Sequence, residues 1–260
     1  MCRLSGLVVL AGVCGLWLAP ACLADDWVTI RGRFVYDGEA PQTEDLEITR
    51  DEDFCGPFGL KNESLLVHPK NHGLQNVAIY LRTRKEVPVH PSYDEAFSKP
   101  VRLDNVGCQF KPRMQLLRTG QTWQATSTDS IAHNVAVYAR RNDPFSQVIP
   151  LGEPLERVFA KAESVPVRID CSIHAWMRAY VVITEHPYAA ITNKSGEFEI
   201  AHVPAGMWTF RLWHERPGYL KSVQTGDQSV KLKAGAWELD VTGSELDLGE
   251  LLVSSDMFAE

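Results

Sequence analysis

The stretch VPVRIDCSIHAWMRAYVVIT (165–184) joins two apolar runs through CSIHAWM (171–177), which sets a thiol, an imidazole and a thioether three residues apart. In an extended VPVRIDC, Val165, Val167, Ile169 and Cys171 share one face. The aliphatic residues should face a core, so the thiol is carried inward at the end of the strand. His174 and Met177 then belong to the turn that follows. A loop at one end of a β-sandwich is held by a strand on each side, which suits a rigid site.

A second imidazole comes from STDSIAHNVAVYA (127–139). His133 shares a face with Val135 and Val137, so it too should point inward near a strand end. One thiolate, two imidazoles and a thioether make a soft-to-borderline donor set. A Cys and two His with a weak Met is the arrangement of a blue-copper electron-transfer centre. Structural zinc would take Cys or His in the fourth position, and no C-x-x-C pair occurs. The expected cofactor is therefore one mononuclear copper on His133, Cys171, His174 and Met177.

The rest of the chain supplies the setting. MCRLSGLVVLAGVCGLWLAPACLADDW has an early Arg3, an apolar stretch over 4–18 and small residues leading to Asp25 and Asp26. It reads as a secretory signal peptide cut after Ala24 or Ala21, so the product is expected to be periplasmic or secreted without stable membrane insertion. Cleavage removes Cys2, Cys14 and Cys22 and leaves Cys55, Cys108 and Cys171. In an oxidising compartment two of these should pair, and the third is a reactive thiol or a metal ligand. A net charge of −7 with no basic cluster argues against nucleic acid.

Short alternating runs recur between turn signals: WVTIRGRFVY (27–36), QNVAIYLR (75–82), RMQLLRTGQTWQA (113–125), HNVAVYA, AYVVIT, GEFEIAHV (196–203) and MWTFRLWHE (207–215). That predicts an all-β protein. A short helix is expected in PSYDEAFSK (91–99), as are a hairpin with a turn at Asn193–Gly196 and a second turn at Pro204–Gly206.

From PVRLDNVGCQFKP through MQLLRTGQTWQATSTDSIAHNVAVYA to SVPVRIDCSIHAWMRAYVVIT, the chain resembles a cupredoxin of the amicyanin and plastocyanin type. Phe110, Pro112, Gly120 and Asp129 fit that pattern, and the C-x-x-H-x-x-M spacing matches the short amicyanin loop. The resemblance implies a Greek-key β-sandwich, with His133, Cys171 and His174 as the trigonal ligands and Met177 axial. It implies that Asn134 ties the two ligand loops together. With Cys171 given to copper, Cys55 and Cys108 are the natural disulfide pair.

The whole chain is also similar to exported bacterial proteins labelled methylamine utilization proteins, through Cys55-Gly56, QNVAIYLR, GCQFKP and EHPYAAIT. Arg113 stands where that group commonly carries His. ITNKSGEFEIAHVPAGMWTFRLWHE (191–215), with RGRFVYDGEAPQ (31–42) and LQNVAIYLRT (74–83), looks like a carboxypeptidase regulatory-like, transthyretin-type β-sandwich. The expected divisions are 1–24, 25–97, 98–187 and 188–260. Segments 27–97 and 188–253 would then form one sandwich with the cupredoxin inserted; the alternative is two independent β units.

These readings imply a one-electron carrier rather than an enzyme, exchanging electrons with a c-type cytochrome or a periplasmic dehydrogenase. The competing reading is a non-redox module that binds a protein or glycan, with copper structural or absent. Trp176 has two readings. It seals the copper from water, or it joins Ala175 in an apolar docking patch around His174. His214, beside Trp213 and Glu215, is the other polar position noted.

Overall fold

The computed structural model describes residues 27–259; the signal-peptide segment lies outside them. Among the described residues no helix is long and apolar enough to cross a membrane. The architecture is all-β, in four sheets.

Two sheets are built only from residues between 101 and 184. One orders Met114–Arg118, Arg178–Thr184, Val167–Asp170, Asn134–Val137 and Phe145–Val148; the other orders Phe110–Lys111, Val101–Asn105, Thr122–Ser127 and Leu155–Val158. Leu103, Trp123 and Ala125 from the second sheet meet Val135, Val137, Ile169 and Val181 from the first in one buried cluster. RMQLLRTGQTWQA reads as a single run but forms two strands in different sheets. Gly120, at φ +83°, makes the turn between them, a conformation that an L side chain resists.

The other two sheets draw on both ends of the chain. Trp27–Asp37 lies between Glu197–Pro204, antiparallel, and Glu245–Ser254, parallel; Ser222–Thr225 and Gln228–Lys231 complete that sheet. Facing it, Ala78–Leu81 lies between Ala189–Ile191 and Gly206–His214, the latter also pairing with Gly218–Tyr219 and Ala236–Val241. Phe34, Leu81, Phe210, Val241 and Val253 share the core between these sheets. The turns at 193–196 and 204–206 do form, with the N–H of Gly196 on the carbonyl of Asn193 at 2.9 Å. They do not close paired hairpins, because each sends its two strands to different sheets. A sandwich crossing and a hairpin use the same turn residues.

A seam joins the two sandwiches. Arg178–Thr184 alternates, sending Ala179, Val181 and Ile183 to the inner core and Tyr180 and Val182 to a cluster with Ala78, Tyr80, Met114 and Trp213. Being buried on both faces explains why AYVVIT is almost continuously apolar. Beside it, Nε and Nη2 of Arg113 donate to the two carboxylate oxygens of Glu215 at 2.6 and 2.8 Å. The residue after F-x-P is thus a seam contact. The expected helix near 91–99 is a 3₁₀ turn, Pro91–Tyr93, running into Asp94–Ser98.

Candidate metal centre

Val167, Ile169 and Cys171 are all buried in the inner core, as are Val135 and Val137 on the neighbouring strand and His133 just before it. The imidazole nitrogens of His133 and His174 and the thiol sulfur of Cys171 offer donor atoms within 4.8 Å of one another. Cys171 is not part of a disulfide. A second group, Cys108, Asp129 and His133, meets the same distance, but the Cys108 sulfur is bonded to Cys55 at 2.05 Å, which removes it as a donor.

Each imidazole is oriented by a carboxylate on its far side. Nε2–H of His133 donates to Asp129 Oδ2 at 2.8 Å. That leaves His133 Nδ1 with a bare lone pair, buried and without a hydrogen-bond partner. Burial holds this imidazole below its ordinary pKa, against the opposing pull of the Asp129 hydrogen bond, which favours the neutral form that a metal needs. Nε2–H of His174 donates to Asp51 Oδ2 at 2.9 Å, and its Nδ1 lies 3.7 Å from the Cys171 sulfur. An imidazole nitrogen from each histidine and the thiol therefore come together at one buried place, and the orphan lone pair of His133 Nδ1 calls for a partner. The donor set fits a soft-to-borderline metal such as copper.

Asn134 links the two loops. Its Oδ1 accepts from the Ser172 N–H at 2.7 Å and from the Cys171 thiol at 3.4 Å, while its Nδ2 donates to the hydroxyls of Ser146 and Ser172. Cys171 and Met177 are closed into a tight loop: the Cys171 N–H donates to the Met177 carbonyl at 3.1 Å, and the Met177 N–H to the His174 carbonyl at 3.0 Å. Met177 is buried in the same cluster as Cys171.

Trp176 lies on His174, ring centroids 5.2 Å apart, and its indole N–H donates to the Cys108 carbonyl at 3.1 Å. It packs against Cys55, Leu60 and Cys108. Ala175 is exposed, whereas the His174 side chain is 0 % exposed. Cys55 and Cys108 form the disulfide.

Asp129, which fits the cupredoxin pattern, and Asp51, which the sequence does not mark, are the carboxylates behind the two imidazoles. Asp129 stands four residues before His133, and its Oδ1 and Oδ2 also accept the N–H groups of Gly107 and Cys108 at 2.7 and 2.8 Å. Asp51 lies 123 residues from His174, inside an acidic run that reads as solvated surface. His214 is not near this centre; it is buried beside Phe258, its Nδ1 accepting from the Arg216 N–H.

No protein-family model and no curated protein matches the chain. Solved structures do match in part. A Cu-containing nitrite reductase from Thermus scotoductus is 20% identical at TM-score 0.30, over 40% of this chain and 25% of its own. The chain thus spans a quarter of that reductase. Amicyanin from Paracoccus versutus is 19% identical at TM-score 0.29, over 40% of this chain and 96% of its own. A purple cupredoxin from Nitrosopumilus maritimus is 21% identical at TM-score 0.27, over 32% and 98%.

Proposed function

We propose that this is an exported type 1 copper protein of cupredoxin character, working as a one-electron carrier. The observation that carries the reading is the unpartnered, buried Nδ1 of His133 on an imidazole that clusters with the Cys171 sulfur and the His174 imidazole. His133, Cys171 and His174 would hold the metal, with Met177 as the weak axial donor. Copper bound there supplies a couple between its +1 and +2 states.

The chain's own residues keep that pocket the same in both states. Asp129 and Asp51 fix the two imidazoles, and Asn134 fixes the thiol loop from the neighbouring strand. Fixing ligands from behind limits how far they rearrange when the charge changes. His133, Cys171, His174 and Met177 are each no more than 2 % exposed, so water and substrates are kept from the centre. A closed pocket suits an electron carrier rather than an enzyme. The partner is a redox protein such as a c-type cytochrome or a periplasmic dehydrogenase.

An absorption spectrum of the Cu(II)-loaded protein tests this. An intense thiolate-to-copper band that disappears in Cys171→Ser is the expected result. A colourless protein that binds no copper overturns the reading and leaves the sandwiches as a binding module.

A further inference from the structure

The carboxylate behind His174 does not come from the inner sandwich. Asp51 sits in the segment between two strands of the outer sandwich, Trp27–Asp37 and Ala78–Leu81. That segment folds back on itself through the Leu46 N–H to Leu60 carbonyl and Asn62 N–H to Glu44 carbonyl bonds. Its short helix, Glu52–Cys55, ends at the cysteine bonded to Cys108. The segment is therefore a strap, anchored in the outer unit and stapled covalently to the inner one beside the metal centre.

We propose that Asp51 is a positioning residue for the copper site. It holds His174 in the tautomer that turns the Nδ1 lone pair toward Cys171, and it closes the far edge of the ring. This rests on the copper reading above. Three observations support it. The Nε2–Oδ2 distance is 2.9 Å and the imidazole is wholly buried beneath the strap. Asp51 takes a left-handed backbone, φ 49° and ψ 42°, outside the usual region for a residue with a side chain. The disulfide lies four residues on, where it limits how far the helix can lift.

Cys108 joins this arm to the other one. Its sulfur holds the strap, its N–H donates to Asp129 behind His133, and its carbonyl accepts from Trp176, which lies on His174. Arg50 also reaches the Asp51 oxygen, at 3.9 Å and from an exposed position, too far for a hydrogen bond. The His174 contact is therefore the one that sets the carboxylate. The consequence is that the metal site is complete only when both sandwiches are present.

Nitrogen-15 spectra of the metal-free, full-length protein read the tautomer directly. The wild type should show His174 protonated at Nε2. Asp51→Asn keeps an acceptor oxygen and should keep that tautomer. Asp51→Ala should mix the two forms, and the copper-loaded variant should lose roughly 10- to 100-fold in affinity in a chelator competition, the usual cost of losing such a partner. Cys55→Ser with Cys108→Ser, which frees the strap without touching Asp51, should weaken copper in the same direction. An unchanged tautomer and unchanged copper affinity in Asp51→Ala overturn the proposal. A wild type that binds no copper, but whose His174 tautomer depends on Asp51, overturns the copper reading alone and supports the positioning role.

Discussion

Asp129 Oδ2 accepts two hydrogen bonds at once, from Nε2 of His133 and from the backbone N–H of Cys108, both at 2.8 Å. One carboxylate thus fixes the His133 imidazole and the loop that bears the disulfide. Asp129→Ala strands two buried donors and a half-buried one, since Gly107 loses its acceptor too. The expected loss is about 2–4 kcal/mol in urea unfolding of the metal-free protein, because each unsatisfied buried group costs roughly 1–3 kcal/mol and the site relaxes in part. Asp129→Asn, which keeps acceptor capacity, should lose less. Equal stability in all three proteins would remove Asp129 from this role.

Met177→Gln should keep copper and lower its reduction potential. A harder oxygen donor in the axial place favours the oxidised ion over the reduced one. Spectroelectrochemistry of the loaded variant measures this directly. Complete loss of metal, or a raised potential, speaks against an axial Met177.

The disulfide closes a span of 53 residues. Chain-entropy reasoning gives it about 4 kcal/mol from restriction of the unfolded chain, and typical measured values run nearer 2–4 kcal/mol. The double Cys55→Ser, Cys108→Ser protein should unfold at correspondingly lower denaturant. A stability within error of the wild type would mean the strap is held by packing alone.

Acid should weaken the fold through two histidines outside the candidate metal centre. Burial, helped by Arg113, pushes His214 down to about 3, and burial, helped by Arg118, pushes His186 down to about 4. An unfolded imidazole titrates near 6.5. The unfolded chain therefore takes up protons that the native one refuses. Their stabilisation is whole above pH ~6.5 and declines as pH falls toward 4 for His186 and toward 3 for His214. The slope is about 1.4 kcal/mol per pH unit per histidine inside that window. His186→Gln should flatten the acid limb of metal-free stability against pH. An unchanged slope would show that His186 is charged in the native state.

The centre was legible where strand alternation says which way a side chain points. Val167, Ile169 and Cys171 form one such series, and His133, Val135 and Val137 the other; both are local. The carboxylates were not legible in the same way. Asp129 belongs to a loop without periodicity, and Asp51 reaches His174 from a segment far away along the chain, beside a disulfide. Which strands pair was equally hidden. ELDLGELLVS (245–254) alternates, but its acidic residues hide a strand that lies beside Trp27–Asp37. RMQLLRTGQTWQA looked like one strand because its apolar residues run on past Gly120, and only the φ at that glycine divides it.

A polypeptide made from its amino terminus presents Trp27–Asp37 long before Glu245–Ser254 exists. The two inner sheets need only residues 101–184, so their strands can pair while Trp27–Asp37 still has a bare edge. An unpaired edge is a template for wrong partners, and pairings this distant along the chain form slowly. Glu245–Ser254 is therefore the clasp of that sheet, and removing it should be felt first at Trp27–Asp37.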